Sequence, residues 1–246
     1  MFATNLARRL GNELYKSAFP IYSPLYHAFK RYADRAERSL LARELSLGDI
    51  VVDAGANIGI YSQFLARCVG ETGRVYSFEP DPTNFTRLQD SLARCANVRV
   101  NQLAVSDRTG ETLLYVSTEL NVDHRSYPSA GESRDVIAIR STRLDDYFQA
   151  GARVDLIKMD IQGYELHALR GAERVLRDNP RIALLLEFWP YGLQAAGASA
   201  EALLAFLKDR DFSLFFFGKD GLEECNSPPI NPSDSRDYRS VFVRRA

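Results

Sequence analysis

The chain has 246 residues, 46% of them hydrophobic, with 31 basic side chains against 32 acidic. That length fits one α/β domain better than two, and the balanced charge offers no field suited to nucleic acid or an acidic polymer. Cys68, Cys95 and Cys225 are odd in number, far apart and without CxxC spacing, which argues against a disulfide framework or zinc site and for thiols in a reducing compartment.

In chain order, residues 1–47 read as an N-terminal helical cap. Arg8 and Arg9 lead into mixed polar residues rather than a cleavable leader. No apolar run approaches the roughly 18 residues needed to span a bilayer, so the expectation is a soluble, cytoplasmic protein without an integral membrane segment. The cap carries Tyr15, Phe19, Tyr22, Tyr26, Phe29 and Tyr32, with Lys16, Lys30, Arg31, Arg35 and Arg38 giving a basic bias. Packing of these aromatics on the domain edge is the simplest role. Substrate recruitment and a homodimer through the N-terminal helices compete with it, and the basic bias suits weak contact with a membrane surface.

From residue 48 to 246, short apolar runs alternate with helix-sized segments, the pattern of a mostly parallel sheet covered on both faces. Strands are expected at 50–53, 74–79, 97–104, 154–160, 181–188, 212–217 and 239–244, a seven-stranded α/β domain. Helices are expected at 59–69, 82–94, 164–178 and 199–210; Leu166, Leu169 and Leu176 give the third its apolar stripe. The alternation breaks between 110 and 140, where Glu111 to Ser117 and Asp135 to Arg140 read as a β-hairpin inserted over the site's mouth. Pro228, Pro229 and Pro232 mark an irregular loop.

The most informative stretch is Ile50-Val51-Val52-Asp53-Ala54-Gly55-Ala56-Asn57-Ile58-Gly59, a strand delivering a glycine turn to a helix N-terminus. Glycine lets the backbone approach a ligand or take positive φ. A second strand ends in Phe78-Glu79-Pro80, and a crossover of that length returns Glu79 beside the turn, where a carboxylate can accept both hydroxyls of a ribose. A dinucleotide site would want G-x-G-x-x-G, whereas only Gly55 and Gly59 are present. Asp53 would repel a pyrophosphate yet suits the ammonium of a methionine moiety, so S-adenosylmethionine is the favoured cofactor. Asn57 offers a donor and an acceptor for its methionine end.

Three blocks make this specific: 52–62 (VDAGANIGIYS), 76–85 (YSFEPDPTNF) and 156–165 (LIKMDIQGYE), continued by 169–172 and 184–188. They resemble the signature blocks of the FkbM-type methyltransferases. The resemblance implies a class I methyltransferase fold (Rossmann-like), S-adenosylmethionine as donor and O-methylation of sugars or natural products. It also places adenine contacts at the end of the third strand, at residues 104–107, where Ser106 is weighed against a role in starting the turn before Gly110. Gln162 departs from it, standing where many members carry Glu.

The acceptor needs a base within hydrogen-bond reach of its hydroxyl. Asp160, at the end of the fourth strand, is the first candidate. Glu165, in the first turn of the next helix, is weighed against a merely dipole-favoured carboxylate. His124 lies in the hairpin loop and titrates near neutrality. Glu187 ends the fifth strand on the same rim as Asp160. It is read as an acceptor-binding carboxylate, ahead of a divalent cation such as magnesium shared with Asp160, and no metal ligand is assigned. Trp189 and Tyr191 are placed to stack on a sugar. His27 and His167 are read as structural. The favoured reading is O-methylation of a small hydroxylated acceptor, with a nicotinamide-dinucleotide oxidoreductase and a non-catalytic binding module as alternatives.

Overall fold

A computed structural model of the chain describes residues 11–117, 123–128, 134–218, 221–228 and 230–245. Arg8, Arg9, most of the hairpin loop and Pro229 lie outside the described residues. After helical residues 11–17, the elements are α1 (Phe19–Ala33), α2 (Arg35–Glu44), β1 (Ile50–Ala54), α3 (Ile60–Val69), β2 (Arg74–Phe78), α4 (Pro82–Leu92), β3 (Val98–Asn101), β4 (Ala104–Val105), β5 (Gly110–Ser117) and β6 (Arg134–Thr142). There follow α5 (Leu144–Tyr147), β7 (Leu156–Met159), α6 (Glu165–Arg170), α7 (Glu173–Asp178), β8 (Ala183–Phe188), α8 (Pro190–Ala195), α9 (Ala200–Lys208), β9 (Phe212–Phe217), β10 (Leu222–Glu224) and β11 (Arg239–Arg245).

The main sheet runs β10-β9-β11-β8-β7-β1-β2-β3. Strands β3, β2, β1, β7 and β8 are parallel, and β11 inserts antiparallel between β8 and β9. The sheet therefore has eight strands, not the expected seven. The extra one, β10, folds back on β9 with Leu222 opposite Phe217, and its two glutamates hide it from any apolar pattern. The expected strand 97–104 is two strands, because Ala104–Val105 leaves the main sheet and pairs with Ser141 and Thr142 of β6. The hairpin β5–β6 is as expected, from Gly110↔Ser141 to Ser117↔Arg134. The expected helix 164–178 breaks at Gly171, where a Cβ would sit 1.9 Å from the Ser106 carbonyl oxygen. That contact admits only glycine.

Side-chain alternation along the strands divides the core into two layers. Val52, Ala54, Ile157, Met159, Leu184 and Leu186 face α6, α7 and α9, while Val51, Val75, Leu156, Leu185 and Phe242 face α2 and α3. Burial on both faces explains why these strands read as continuous apolar runs. The cap docks through aromatics: Tyr15 and Tyr22, 5.4 Å apart edge to face, pack on Ile58 and Ile60. The Tyr15 hydroxyl donates to Asn84, and the Arg87 guanidinium lies 3.6 Å over the Tyr15 ring. Helix α1 is thus fixed above the turn that follows β1.

Candidate active site

Strands β1, β2 and β7 end side by side where the strand order reverses, the place where open α/β sheets hold ligands. Beyond Ala54 the chain turns through three left-handed residues, Gly55 (φ 76°), Asn57 (φ 49°) and Gly59 (φ 90°). A Cβ on Gly55 would lie 2.0 Å from the Asp160 carbonyl oxygen, so only glycine lets the ends of β1 and β7 come this close. Gly59 serves helix packing, since its missing Cβ leaves room for Ser91 and Leu88 of α4.

Glu79, just past β2, closes the turn. Its Oε2 accepts the Asn57 amide at 2.8 Å and its Oε1 the Asp81 amide at 3.0 Å. Burial pushes this carboxyl up to about 7, against the pull of those two amides. It lines the cleft and keeps acceptor capacity toward it.

Asp53 is fully buried behind the turn. Ser62 Oγ donates to its Oδ2 at 2.7 Å, Ser77 Oγ donates to Ser62 at 2.8 Å, and Lys158 Nζ stands 3.2 Å from Oδ1. Lys158, given no role by the sequence reading, is the residue that lines the cleft, with Asp53 behind it. Burial alone would lower the Lys158 ammonium; Asp53, and Asp160 at 4.0 Å, outweigh it and hold the ammonium charged. A lysine inside the fully buried strand Leu156-Ile157-Lys158-Met159 was the signal that could have found it.

The cleft occupies about 900 Å³, its open mouth included. Phe78, Leu103, Val105 and Leu114 give it an apolar side near Glu79. Ala104 and Val105 reach it, whereas Ser106 turns away, its hydroxyl 3.2 Å from Asp107 Oδ1. At the other side Asp160 is 39% exposed, more open than any other carboxylate of the site. Gln162 Nε2 donates to Asp160 Oδ1 at 3.0 Å and to Glu187 Oε2 at 3.1 Å, so the amide ties both acids together. Burial, then Asp160 and Glu165, drive the Glu187 carboxyl well above its ordinary range. Gln162 itself is left-handed at φ 56°, a strained setting of the kind that clusters at functional sites. Glu165 is wholly buried and raised by burial to about 8; its Oε1 accepts the Ile161 amide at 3.1 Å, which braces the turn into α6. Among the described residues, no group of three or more His, Cys, Asp or Glu side chains is set to hold a metal ion.

The inserted hairpin roofs the cleft. Tyr127 donates its hydroxyl to the Gln162 carbonyl at 2.6 Å, and Arg125 and Arg134 both grip Asp123, at 2.8 and 2.6 Å. These contacts bring His124 and Ser126 to the lining. His124 Nδ1 accepts the Ser117 amide at 3.2 Å, so the ring's proton sits on Nε2. Burial lowers the imidazole's pKa, and the ring is neutral at pH 7. Tyr26 and Lys30 of α1 and Tyr61 of α3 form the remaining wall, with the Lys30 and Lys158 ammoniums 6.0 and 5.1 Å from the Tyr61 ring. His167 lies elsewhere, between Asp107 and the Ala196 carbonyl.

The expected residues Gly55, Asn57, Glu79, His124 and Asp160 therefore meet around one cleft. Asp53, Gly59, Ser106 and Glu187 stand one layer behind it.

Comparison with known proteins gives one domain match, the Methyltransferase FkbM domain, over residues 53–214. The chain is 29% identical over 172 residues to the 31-O-demethyl-FK506 methyltransferase FkbM of Streptomyces tacrolimicus, covering 56% of this chain and 64% of that protein. It is 25% identical over 142 residues to the hexuronic acid methyltransferase AglP of Haloferax volcanii, covering 56% of each. The matches thus span only about three fifths of these relatives' length. Among solved structures, an rRNA methylase from Streptococcus thermophilus superposes with a TM-score of 0.51 at 15% identity, over 85% of this chain and 93% of that one, a likeness of fold.

Proposed function

We infer the reaction from this premise: the chain belongs to the Methyltransferase FkbM domain family. It is an S-adenosylmethionine-dependent methyltransferase that acts on a hydroxyl of a small acceptor, a sugar or a natural product. The observation that carries this reading is the buried Glu79 carboxylate, tied to the Asn57 amide at the left-handed turn after β1. A carboxylate so placed accepts from a ribose diol, and the apolar side formed by Phe78, Leu103, Val105 and Leu114 suits an adenine ring. Gly55 and Asn57 present backbone to the methionine end. A hydroxyl acceptor is supported by the name of one relative, for position 31-O of FK506, and a sugar acceptor by the other, for hexuronic acid.

When bound, S-adenosylmethionine supplies a methyl group activated by a sulfonium. The chain's own task is to orient the acceptor and remove its proton. Asp160, at the end of β7 and open to the cleft, takes that proton as the new oxygen–carbon bond forms. Gln162 fixes the carboxylate by donating to Oδ1, which leaves Oδ2 for the acceptor. His124, neutral and protonated on Nε2, orients an acceptor oxygen as a hydrogen-bond donor. Glu187 holds the far side of Gln162 by accepting from its amide. The hairpin roof and the α1 wall bound the cleft around the acceptor.

Asp160→Asn keeps the shape and removes the base. The expected result is a fall in kcat of about 10²–10⁴-fold with S-adenosylhomocysteine affinity within about twofold. Assay on a panel of uronic acids and hydroxylated macrolides reads it, and an unchanged kcat would remove Asp160 from the role of base.

A further inference from the structure

Helix α1 has two apolar faces. Tyr22, Tyr26 and Lys30 turn inward to the β1 turn and the cleft. On the other side Ile21, Leu25, Phe29 and Tyr32 recur every three or four residues and are 57%, 59%, 61% and 71% exposed. This is one stripe along three turns, with no element of the described structure laid over it. Arg31 and Arg35 are exposed beside the stripe, the Arg35 guanidinium 4.8 Å from the Tyr32 ring. Within Phe19–Ala33 there is no acidic residue; its charged positions are Lys30 and Arg31.

We propose that this outer face of α1 is a docking surface for an anionic lipid bilayer. The apolar stripe enters the boundary between headgroups and acyl chains while Arg31 and Arg35 reach back to headgroup phosphates. The charge pattern selects this occupant over a second copy of the chain: Phe19–Ala33 holds no carboxylate, and Asp34, just before Arg35 at the start of α2, is only 15% exposed and held by Lys30 at 2.8 Å. The helix lies on the bilayer and does not cross it: its 15 residues are too few, and no described helix is long and apolar enough. Because the inner face of the same helix walls the cleft, docking sets the cleft's mouth beside the headgroup layer.

The test is co-sedimentation of the full chain with vesicles of phosphatidylcholine alone and of phosphatidylcholine with an equal part of phosphatidylglycerol, at low and high salt. The expected result is binding to the anionic vesicles that weakens with salt. The exposed double variants L25D/F29D and R31E/R35E each reduce it by at least about tenfold, with thermal melts unchanged. No binding of the native chain to anionic vesicles overturns the proposal, as does binding that both variants retain. A dimer in light scattering that L25D/F29D dissociates, without vesicle binding, assigns the stripe to a second copy instead.

Discussion

Lys158 shows how much one buried charge decides in this site. It touches Asp53 at 3.2 Å, the Gly55 carbonyl at 3.4 Å and Asp160 at 4.0 Å. It neutralises a carboxylate that has no access to water and holds the turn backbone at the same time. Removing one member of such a pair leaves the other charge buried alone, which costs about 3–5 kcal/mol, whereas replacing both by neutral groups costs far less. Lys158→Met should therefore lower stability by about that amount, and adding Asp53→Asn should restore most of it; urea unfolding of the single and double variants measures the difference. Asp53 itself shows where electrostatic reading of a sequence stops. The motif placed an acid at the strand end correctly, but whether it meets a ligand's ammonium or a lysine's depends on which way the fourth strand's Lys158 points, a pairing across 105 positions that no local pattern carries.

At the level of elements, the β1–α3 turn is the most constrained piece. Gly55 combines a φ of 76° with a Cβ position 2.0 Å from the Asp160 carbonyl oxygen. Gly55→Ala should destabilise by about 2–5 kcal/mol through strain and overpacking together, and should displace Asp160, so activity falls further than stability; thermal unfolding and turnover of the variant read both. Strands β1, β7 and β8 were legible because burial on both faces makes them largely apolar, and β2 as a short run ended by Glu79. The hairpin was legible from its alternation. Strand β10 was not, since Leu222-Glu223-Glu224 is short and acidic. Nor was the break between α6 and α7, because it answers to the Ser106 backbone rather than to the helix's own stripe. The share of α1 in the cleft was hidden too: Tyr26 and Lys30 arrive there through aromatic packing of Tyr15 and Tyr22 on Ile58 and Ile60, contacts distant in sequence.

For the molecule as a whole, the buried acids set a pH dependence. Glu79 and Glu165 titrate near pH 4.5 when free and at about 7 and about 8 in the fold, both raised chiefly by burial. Between those values the folded chain binds more protons than the unfolded one, so stability falls as pH rises from about 4.5 to 8. The ligand-free protein should melt lower at pH 8.5 than at pH 6, by about 2–4 °C for each kcal/mol lost in a chain of this size, as followed by calorimetry. Glu79 and Asp160 line one cleft, and in the proposed reading Glu79 meets the donor and Asp160 the acceptor. The central claim is that this cleft binds S-adenosylmethionine through Glu79, and the most direct measurement is calorimetric titration of the native chain and Glu79→Ala with S-adenosylmethionine and S-adenosylhomocysteine. The account predicts micromolar binding of both by the native chain and none by a folded Glu79→Ala variant; no binding by the native chain, or equal binding by the variant, would contradict it.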